Sequence, residues 1–460
     1  MTAKLSEFAT AVRLLRGAFL LDHSVSVGEL GSLFHRDGDG PVQQLKRNIA
    51  KAYGVAWSFP AACGTSPLNV LGLLALAPPG SAVAVNRDCH VSVHAALVHG
   101  GYRPVYYCPE YDSELGLPLG PTSNAIESLL ANNTDVSCVV VTYPNYFGIA
   151  GECAGIIEAA HRRGLPVLVD AAHGAPLHFC SELPDAAEDL GADVVLQSTH
   201  KTMGALSQGS IALFATETHL DAFYDAVSHL GLVSTSFSYP TLSSVELAIA
   251  RHQVDGEESW TRAICEADRF RERVAVVDGV TTFGVEAAGR PGFVDLDRTR
   301  VTLDVSGSRL SGFDFERLLR DEQIYPEMAT SRHVLFLFTP GTRAEDASYL
   351  VGAIERIAEN TDVRQAARSD AWTAPAPAIP EMALAPRDAY FARKRSVAIE
   401  DSIGSICGET IAPYPPGSAV IAAGERLDAD VVNYLRRVQM AGGVLYGASD
   451  PQFRRIRVVA

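Results

Sequence analysis

The chain has 460 residues, of which 47% are hydrophobic and 20% are charged, and its formal net charge is −16 at pH 7. This length predicts a globular protein of more than one domain, and the acidic charge argues against nonspecific nucleic-acid binding, which depends on basic surface. No apolar stretch reaches the roughly 20 residues that span a bilayer. Residues 1–10 also lack the apolar core of a signal peptide. We therefore expect a cytoplasmic protein without a membrane partner.

The eight cysteines lie far apart in the sequence, at positions 63, 89, 108, 138, 153, 180, 265 and 407. None of them shows the close spacing of zinc ligands. We therefore expect neither a metal site nor a disulfide framework, which fits a reducing compartment.

Residues 55–215 alternate short apolar segments with segments of helical pattern. Six apolar segments are rich in β-branched residues and bounded by turns, which predicts buried strands. They are 83–85, 105–107, 138–142, 167–170, 194–197 and 211–214. Helices are predicted between several of them, among them 91–99 and 153–163. This alternation predicts an α/β domain with a mostly parallel sheet, whose ligands lie beyond the carboxyl ends of the strands.

A smaller α+β unit is predicted after a glycine-containing connection at residues 284–292. Its predicted elements are strands at 300–305 and 333–338 and a helix near 312–321. Residues 374–385 (APAPAIPEMALA) have the composition of an extended linker, and residues 455–459 predict a last strand. The predicted divisions are an N-terminal segment at 1–50, a large cofactor-binding domain at 51–284, a small α+β domain at 285–372, and a linker with a C-terminal segment at 373–460.

Lys201 is the one lysine among five that directly follows a predicted buried strand, in the segment VVLQSTHK. Burial at such a position lowers the pKa of an amine and suits it to imine formation. Ser198 and His200 flank the lysine with a hydroxyl and an imidazole, which are groups that hold a phosphate ester. The alternative is a strand-end lysine that only reaches solvent.

Asp170 ends the preceding predicted strand, and His173 lies in the turn that follows it (VLVDAAHG). A buried carboxylate is costly unless it is paired. A protonated pyridine nitrogen would supply that partner and would keep the ring electron-deficient, as an electron sink requires. The alternative is an aspartate that caps the next helix.

Residues 63–69 (CGTSPLN) predict a glycine turn that leads into a helix. Gly64, Thr65 and Ser66 could present amides and hydroxyls to a phosphate there, although Thr-Ser-Pro also begins many helices as a cap. His90 follows the strand at 83–85 and could stack on an aromatic cofactor or simply begin a helix. Four strand-end sites, in the chain order phosphate loop, histidine, aspartate and lysine, together indicate a pyridoxal-phosphate site.

These segments resemble the bacterial ornithine/lysine/arginine decarboxylase family, whose members are pyridoxal-phosphate enzymes of fold type I. The resemblance covers roughly residues 30–425, and its most specific motif is QSTHKTMGALSQ at 197–208. The other matching segments are TYPNYFG at 142–148, VDAAHG at 169–174, STSFSY at 234–239, GETIAPYPPG at 408–417, and residues 424–425. We therefore expect a fold type I large domain with a smaller α+β domain.

The resemblance implies that Lys201 holds pyridoxal 5′-phosphate as a Schiff base, that Asp170 pairs with the pyridine nitrogen and that His90 stacks on the ring. Lys201 or His200 would return a proton to the substrate's α-carbon. The groups expected at the phosphate are Thr65, Ser66, Ser198 and His200, with Thr235 contributed by the neighbouring subunit. Gly64 and His173 complete the expected cofactor site, and Glu409 is the candidate contact for the substrate's distal cationic group.

The predicted reaction is decarboxylation of a basic L-amino acid (arginine, lysine or ornithine) to its amine. The first alternative is another reaction of the same cofactor, such as that of an aminotransferase, lyase, aldolase or racemase. The second is a catalytically inactive relative that binds an amino acid or regulates a partner. The resemblance also implies a homodimer or larger homo-oligomer with shared active sites.

Overall fold

The computed structural model describes residues 31–359, 376–414 and 417–460. Residues 1–10, which bear on the signal-peptide prediction, lie outside this range, as do the first two residues of the predicted linker and residues 415–416 of the C-terminal motif. The helices are α1 Pro41–Ala52, α2 Thr65–Leu76, α3 Val91–Gly100, α4 Ser123–Asn132, α5 Cys153–His161, α6 Thr199–Thr202, α7 Leu220–His229, α8 Tyr239–Val274, α9 Gly312–Asp321, α10 Ala344–Glu359, α11 Pro386–Phe391 and α12 Ala429–Met440.

The strands alternate with these helices through the first half of the chain. They are β1 Trp57–Ala62, β2 Ala82–Asn86, β3 Arg103–Tyr107, β4 Tyr111–Asp112, β5 Leu117–Pro118, β6 Val136–Thr142, β7 Ile149–Ala150, β8 Val167–Asp170, β9 Val194–Gln197, β10 Gly209–Phe214, β11 Thr281–Thr282, β12 Asp295–Leu296, β13 Arg300–Asp304, β14 Met328–Ala329, β15 His333–Leu337, β16 Lys394–Ala398, β17 Ala412–Tyr414, β18 Val444–Tyr446 and β19 Arg455–Val459.

Seven strands form the large sheet, in the order β1-β10-β9-β8-β6-β2-β3. The five strands from β9 to β3 are parallel, whereas β10 runs antiparallel to both of its neighbours. All six predicted strands are present, so the mostly parallel α/β sheet is confirmed. The sequence pattern does not predict β1, because Pro60 interrupts it. The proline is accommodated because β1 lies at the edge of the sheet.

Helix α8 is 36 residues long and contributes to two hydrophobic cores. Its first half buries Leu242 and Val245 in the core of the large sheet. Its last turns bury Phe270 and Val274 in a second core, which packs on the antiparallel sheet β11-β13-β15-β14. The domain boundaries drawn from the sequence remain predictions, since one helix serves both cores.

The C-terminal segment has a third core, built from β16, β19 and α12. It is attached to the large domain by a buried ion pair, in which Arg87 Nη1 lies 2.5 Å and Nη2 2.9 Å from the carboxylate oxygens of Glu425. A backbone bridge also pairs His90 with Ser418. The C-terminal segment therefore covers the sheet end that carries His90. In the described part of the chain, no helix has both the length and the apolar character needed to cross a bilayer.

Candidate active site

The carboxyl ends of the neighbouring strands β6, β8 and β9 place the chemically important side chains side by side. Thr142 at the end of β6 pairs with Asp170 at the end of β8, and Asp170 pairs with Leu196 of β9. Ser198 follows β9 directly, and Lys201 lies on the short helix α6 after it. Because parallel strands end in register, these residues meet at one edge of the sheet.

The Asp170 carboxylate is buried and held by two hydrogen bonds. Asn69 Nδ2 donates to Oδ2 over 2.8 Å, and the backbone N–H of Ala172 donates to Oδ1 over 3.1 Å. Within residues 31–359, 376–414 and 417–460, no basic side chain forms an ion pair with it. The carboxylate is therefore oriented by neutral donors, and its charge remains available for a cation in the cavity.

Asn69 is a site residue that the sequence analysis missed. It lies on α2, whose sequence TSPLNVLGLLAL is otherwise apolar after the first turn, and its side chain is 1% exposed. The same amide also donates to Ser92 Oγ over 3.0 Å. A polar side chain in a buried apolar helix needs a polar partner. The isolated asparagine in this apolar sequence could therefore have identified Asn69 as a candidate site residue.

The amine of Lys201 lies 2.9 Å from His173 Nε2. The lysine side chain keeps contact with solvent because it faces an open cavity, yet the surrounding protein desolvates the amine and lowers its pKa. The carboxylate of Asp170 opposes this shift, and the positive charge of Arg300 adds to it. The direction of the pKa shift is the one expected from the position of Lys201 in the sequence.

Arg300, the first residue of β13, reaches His173 from the second core. Its Nη2 lies 2.7 Å from His173 Nδ1, and its Nη1 donates to the Tyr146 carbonyl over 3.1 Å. The guanidinium is fully buried, and its Nε lies 3.3 Å from a carboxylate oxygen of Asp297. Burial and the positive charges of Arg300 and Lys201 hold the pKa of His173 well below its usual value. His173 is therefore neutral.

The turn at Gly64 brings polar groups to the N-terminus of α2. Gly64 has a φ of +74° and open space where a Cβ would lie, and its N–H donates to the Gln208 carbonyl over 2.9 Å. The hydroxyl oxygens of Thr65 and Ser198 lie 3.1 Å apart, and Ser66 is exposed beside them. Hydroxyls and the unbonded N–H groups of a first helical turn form an anion-binding arrangement.

Two histidines complete this end of the sheet. His200 Nδ1 lies 2.7 Å from the Gly209 carbonyl, which orients the imidazole at the start of β10. His90 caps α3, where its Nδ1 accepts from the Ser92 N–H over 3.2 Å. Burial lowers the pKa of His90, with the Asp170 carboxylate raising it and Lys201 lowering it. His90 is thus a neutral ring at the cavity wall.

A cavity of about 680 Å³ brings nine of the eleven predicted site residues together. They are Gly64, Thr65, Ser66, His90, Asp170, His173, Ser198, His200 and Lys201. Further residues of the large domain line the wall together with residues of the second core and of the C-terminal segment, so all three parts of the chain enclose the cavity. No group of three His, Cys, Asp or Glu side chains in the described ranges could hold a metal ion.

Thr235 and Glu409 do not line this cavity. Thr235 is exposed, and its contact with a neighbouring subunit stays a prediction. Glu409 is buried, and its two carboxylate oxygens accept hydrogen bonds from the N–H groups of Ser449 and Arg457, each over 3.2 Å. The structure of the single chain therefore does not bring Glu409 to the site. Three other carboxylates line the cavity besides Asp170: Asp88, Glu110 and Glu327.

Comparisons with known proteins agree with this architecture. The family model for the Orn/Lys/Arg decarboxylase major domain matches residues 16–290, and the model for the C-terminal domain matches residues 369–447. An arginine decarboxylase of Halalkalibacterium halodurans is 33% identical over 436 residues, which are 95% of this chain and 88% of that protein.

Solved structures identify the fold. The constitutive lysine decarboxylase of Escherichia coli matches with a TM-score of 0.76 at 24% identity, over 95% of this chain and 74% of that one. A structure of SPT with PLP matches with a TM-score of 0.56 at 14% identity, over 75% of this chain and 86% of that one. The predicted fold type I architecture is therefore confirmed.

Proposed function

The chain belongs to the Orn/Lys/Arg decarboxylase family, and on that premise we propose that it is a pyridoxal-phosphate enzyme that decarboxylates a basic L-amino acid to its amine. One observation carries the proposal: a desolvated lysine, a buried carboxylate without an ion-pair partner among the described residues, and an anion-binding helix N-terminus line one cavity. Each is a group that this cofactor needs.

The polar groups of the cavity fit the cofactor. Thr142 Oγ1 is buried at the cavity wall and has no hydrogen-bond partner among the described residues, so it can bind a polar group of the cofactor. The space above Gly64 lets a phosphate approach the backbone of α2 closely. Asp170 supplies the negative charge that a protonated pyridine nitrogen requires. Lys201 supplies an amine with a lowered pKa, which is the nucleophile for a carbonyl.

When bound, pyridoxal phosphate supplies an electron sink for the charge left on the substrate as carbon dioxide departs. We assign Asp170 to hold the proton on the pyridine nitrogen, with Asn69 and the Ala172 N–H fixing the direction of its carboxylate. His90, at the cavity wall, would pack on the ring of the cofactor. Lys201 Nζ would return a proton to the substrate's α-carbon, and His173 Nε2 lies beside Lys201 Nζ for that transfer.

The phosphate is assigned to the groups at the start of α2 and α6. Those groups are the N–H and hydroxyl groups of Thr65 and Ser66, together with Ser198 and His200. We further propose that Thr235 joins them from a second copy of the chain. In support, Lys201 and Thr235 are both exposed in the single chain, and the exposed apolar residues Leu206 and Leu230 lie in the same stretch of sequence. Light scattering on the cofactor-loaded protein would show the expected dimer or larger assembly.

The cavity wall supports a cationic substrate. Asp88, Glu110 and Glu327 line it, and Glu327 Oε1 accepts a hydrogen bond from Tyr146 over 2.7 Å. Burial raises the pKa of Asp88 to about 7, so the approach of an ammonium or guanidinium group would favour its ionised form. Because the similar protein of H. halodurans is named an arginine decarboxylase, arginine is the first substrate to test.

The arginines that line the cavity argue against an aminotransferase, which must bind the second carboxylate of a keto acid. Arg87 is paired with Glu425, and Arg332 Nε donates to Asp304 over 2.6 Å. Among the described residues, these are the two arginines that line the cavity, and each is already paired with a carboxylate of the protein. Neither is therefore available to bind a carboxylate of a keto acid.

The proposal is tested by adding pyridoxal phosphate to the purified protein and recording the visible absorbance of the imine. Borohydride should remove this band, and Lys201→Ala should lack it, whereas Lys51→Ala, which alters an exposed lysine on α1, should keep it. Carbon dioxide and amine release would then be measured with arginine, lysine and ornithine. Absence of the band in the wild-type protein would refute the cofactor assignment, and a band without carbon dioxide release would refute the reaction.

A further inference from the structure

Arg300, His173 and Lys201 form a continuous chain of contacts from the second core to the cavity. Arg300 Nη2 lies 2.7 Å from His173 Nδ1, and His173 Nε2 lies 2.9 Å from Lys201 Nζ. The imidazole is sandwiched between two basic groups, and Tyr146 covers it with ring centroids 4.5 Å apart. Both nitrogens of His173 are therefore committed to specific partners.

The protons in this chain of contacts can be placed in one way. A guanidinium has donors and no acceptor, so Arg300 must donate to Nδ1, and Nδ1 carries no proton. A neutral imidazole then carries its proton on Nε2, which points to Lys201. An ammonium has no lone pair, so Lys201 Nζ can accept this hydrogen bond only as the free amine.

We propose that Arg300 is a positioning residue that fixes His173 in the tautomer with its proton on Nε2, so that His173 donates to Lys201 and favours its free amine. The assignment of Lys201 as the cofactor's lysine rests on the proposed function, whereas the tautomer of His173 does not. Arg300 makes no hydrogen bond to Lys201; it acts on the lysine through His173, and its positive charge adds to the effect.

The surroundings of Arg300 hold the guanidinium in place. The side chains of Arg300 and Asp297 are 0% and 1% exposed, and Asp297 is itself fixed by the N–H and hydroxyl of Thr299, over 3.0 and 2.5 Å. The stem of Arg300 passes Gly148 so closely that a Cβ there would lie 2.7 Å from Arg300 Cδ. The glycine that ends the TYPNYFG motif thus gives Arg300 its path to His173.

This arrangement also prevents His173 from gaining a second proton. That proton would have to reside on Nδ1, directly against the buried guanidinium. Burial lowers the pKa values of both His173 and Lys201, and the charge of Arg300 adds to each shift, while the carboxylates of Asp170 and Glu327 oppose it at Lys201. Without Arg300, Nε2 could accept from Lys201 instead, which would stabilise the ammonium and raise the pKa of the lysine.

The first test follows the rate at which cofactor-free protein forms the imine band with pyridoxal phosphate as the pH is varied. Lys201 condenses with the aldehyde as the free amine and releases one water, so the midpoint of the profile reports its pKa. We expect Arg300→Met to move the midpoint upward by a pH unit or more, which slows the reaction about tenfold below the midpoint. An unchanged midpoint in folded Arg300→Met overturns the proposal.

Arg271→Met is the matched control. Arg271 is buried in the same core and donates to the carbonyls of Phe283, Arg298 and Arg300, without contacting His173. We expect it to lower the denaturation midpoint and to leave the pH profile unchanged. An equal pH shift in both arginine variants would mean that loosening of the core causes it, and would overturn the assignment to Arg300.

The second test needs neither the cofactor nor a stable variant at position 300. Nitrogen-15 spectra of cofactor-free protein labelled at histidine would report the tautomer of His173, identified by the signals lost in His173→Gln. We expect a proton on Nε2 and none on Nδ1 throughout the neutral pH range. A proton on Nδ1 in the wild-type protein overturns the proposal. Failure of the imine band in the wild-type protein would instead overturn the proposed function and leave the tautomer result standing.

Discussion

Gly148 offers a quantitative check on the path of Arg300 through the structure. Its φ of +85° lies in the left-handed region, where a residue with a Cβ costs about 1 kcal/mol more than glycine. An added Cβ would also lie 2.7 Å from Arg300 Cδ and 3.1 Å from the Asp297 carbonyl oxygen. Such overpacking costs about 1–3 kcal/mol. We therefore expect Gly148→Ala to lower the free energy of unfolding by about 2–4 kcal/mol in total.

Gly164→Ala separates the two contributions. Gly164 has a φ of +68°, and no atom of the described residues lies within 4 Å of its hypothetical Cβ, so its substitution should cost only the backbone strain, about 1 kcal/mol. Urea unfolding of both variants, followed by tryptophan fluorescence, would measure the difference. If Gly148→Ala were no less stable than Gly164→Ala, the close approach of Arg300 to Gly148 would be wrong.

Three further predictions concern other parts of the molecule. Asp170→Asn keeps the size of the side chain but removes its charge, so we expect the imine band to persist while kcat falls about 10²-fold or more; undiminished kcat would contradict the role of the carboxylate. Glu425→Gln leaves the buried Arg87 without its counter-charge and should cost about 3–5 kcal/mol in urea unfolding, and a loss under about 1 kcal/mol would show that the pair is effectively solvated. Burial lowers the pKa of Lys46 to about 7, so the unfolded chain binds more protons there and stability should rise from pH 7 toward the ordinary lysine pKa. Lys46→Met should flatten that rise relative to wild type, and parallel urea-midpoint profiles would contradict it.

The large sheet was predictable because its strands are short, buried on both faces and therefore almost wholly apolar. The same pattern locates Asp170, which ends such a strand, and Lys201, which is the first charged group after the next one, because parallel strands end at one edge of the sheet. The sequence pattern could not predict a contact between side chains that lie far apart in the sequence, such as that of Arg300 with His173. Arg300 begins an ordinary strand of the second sheet, and only the three-dimensional packing brings it to His173.

Glu409 is a second case in which the sequence did not show what a side chain contacts. Its place in the GETIAPYPPG motif indicated a carboxylate near the substrate, but local sequence cannot tell whether a carboxylate faces a cavity or the backbone. In the structure it accepts from two N–H groups of the C-terminal core. Asn69 could have been found from sequence, because it stands alone as a polar residue in an apolar helix.

The attachment of residues 417–425 to the large domain has a consequence for the order in which the site is completed during synthesis. Ser418 pairs with His90, and Glu425 pairs with Arg87, 338 positions earlier in the chain. During synthesis, the chain can form the large sheet, with Asp170 and Lys201 in place, long before residues 417–425 have left the ribosome. The cavity is closed on the side of His90 only after residue 425 has been made, so the completion of the candidate site comes late in the folding of this chain.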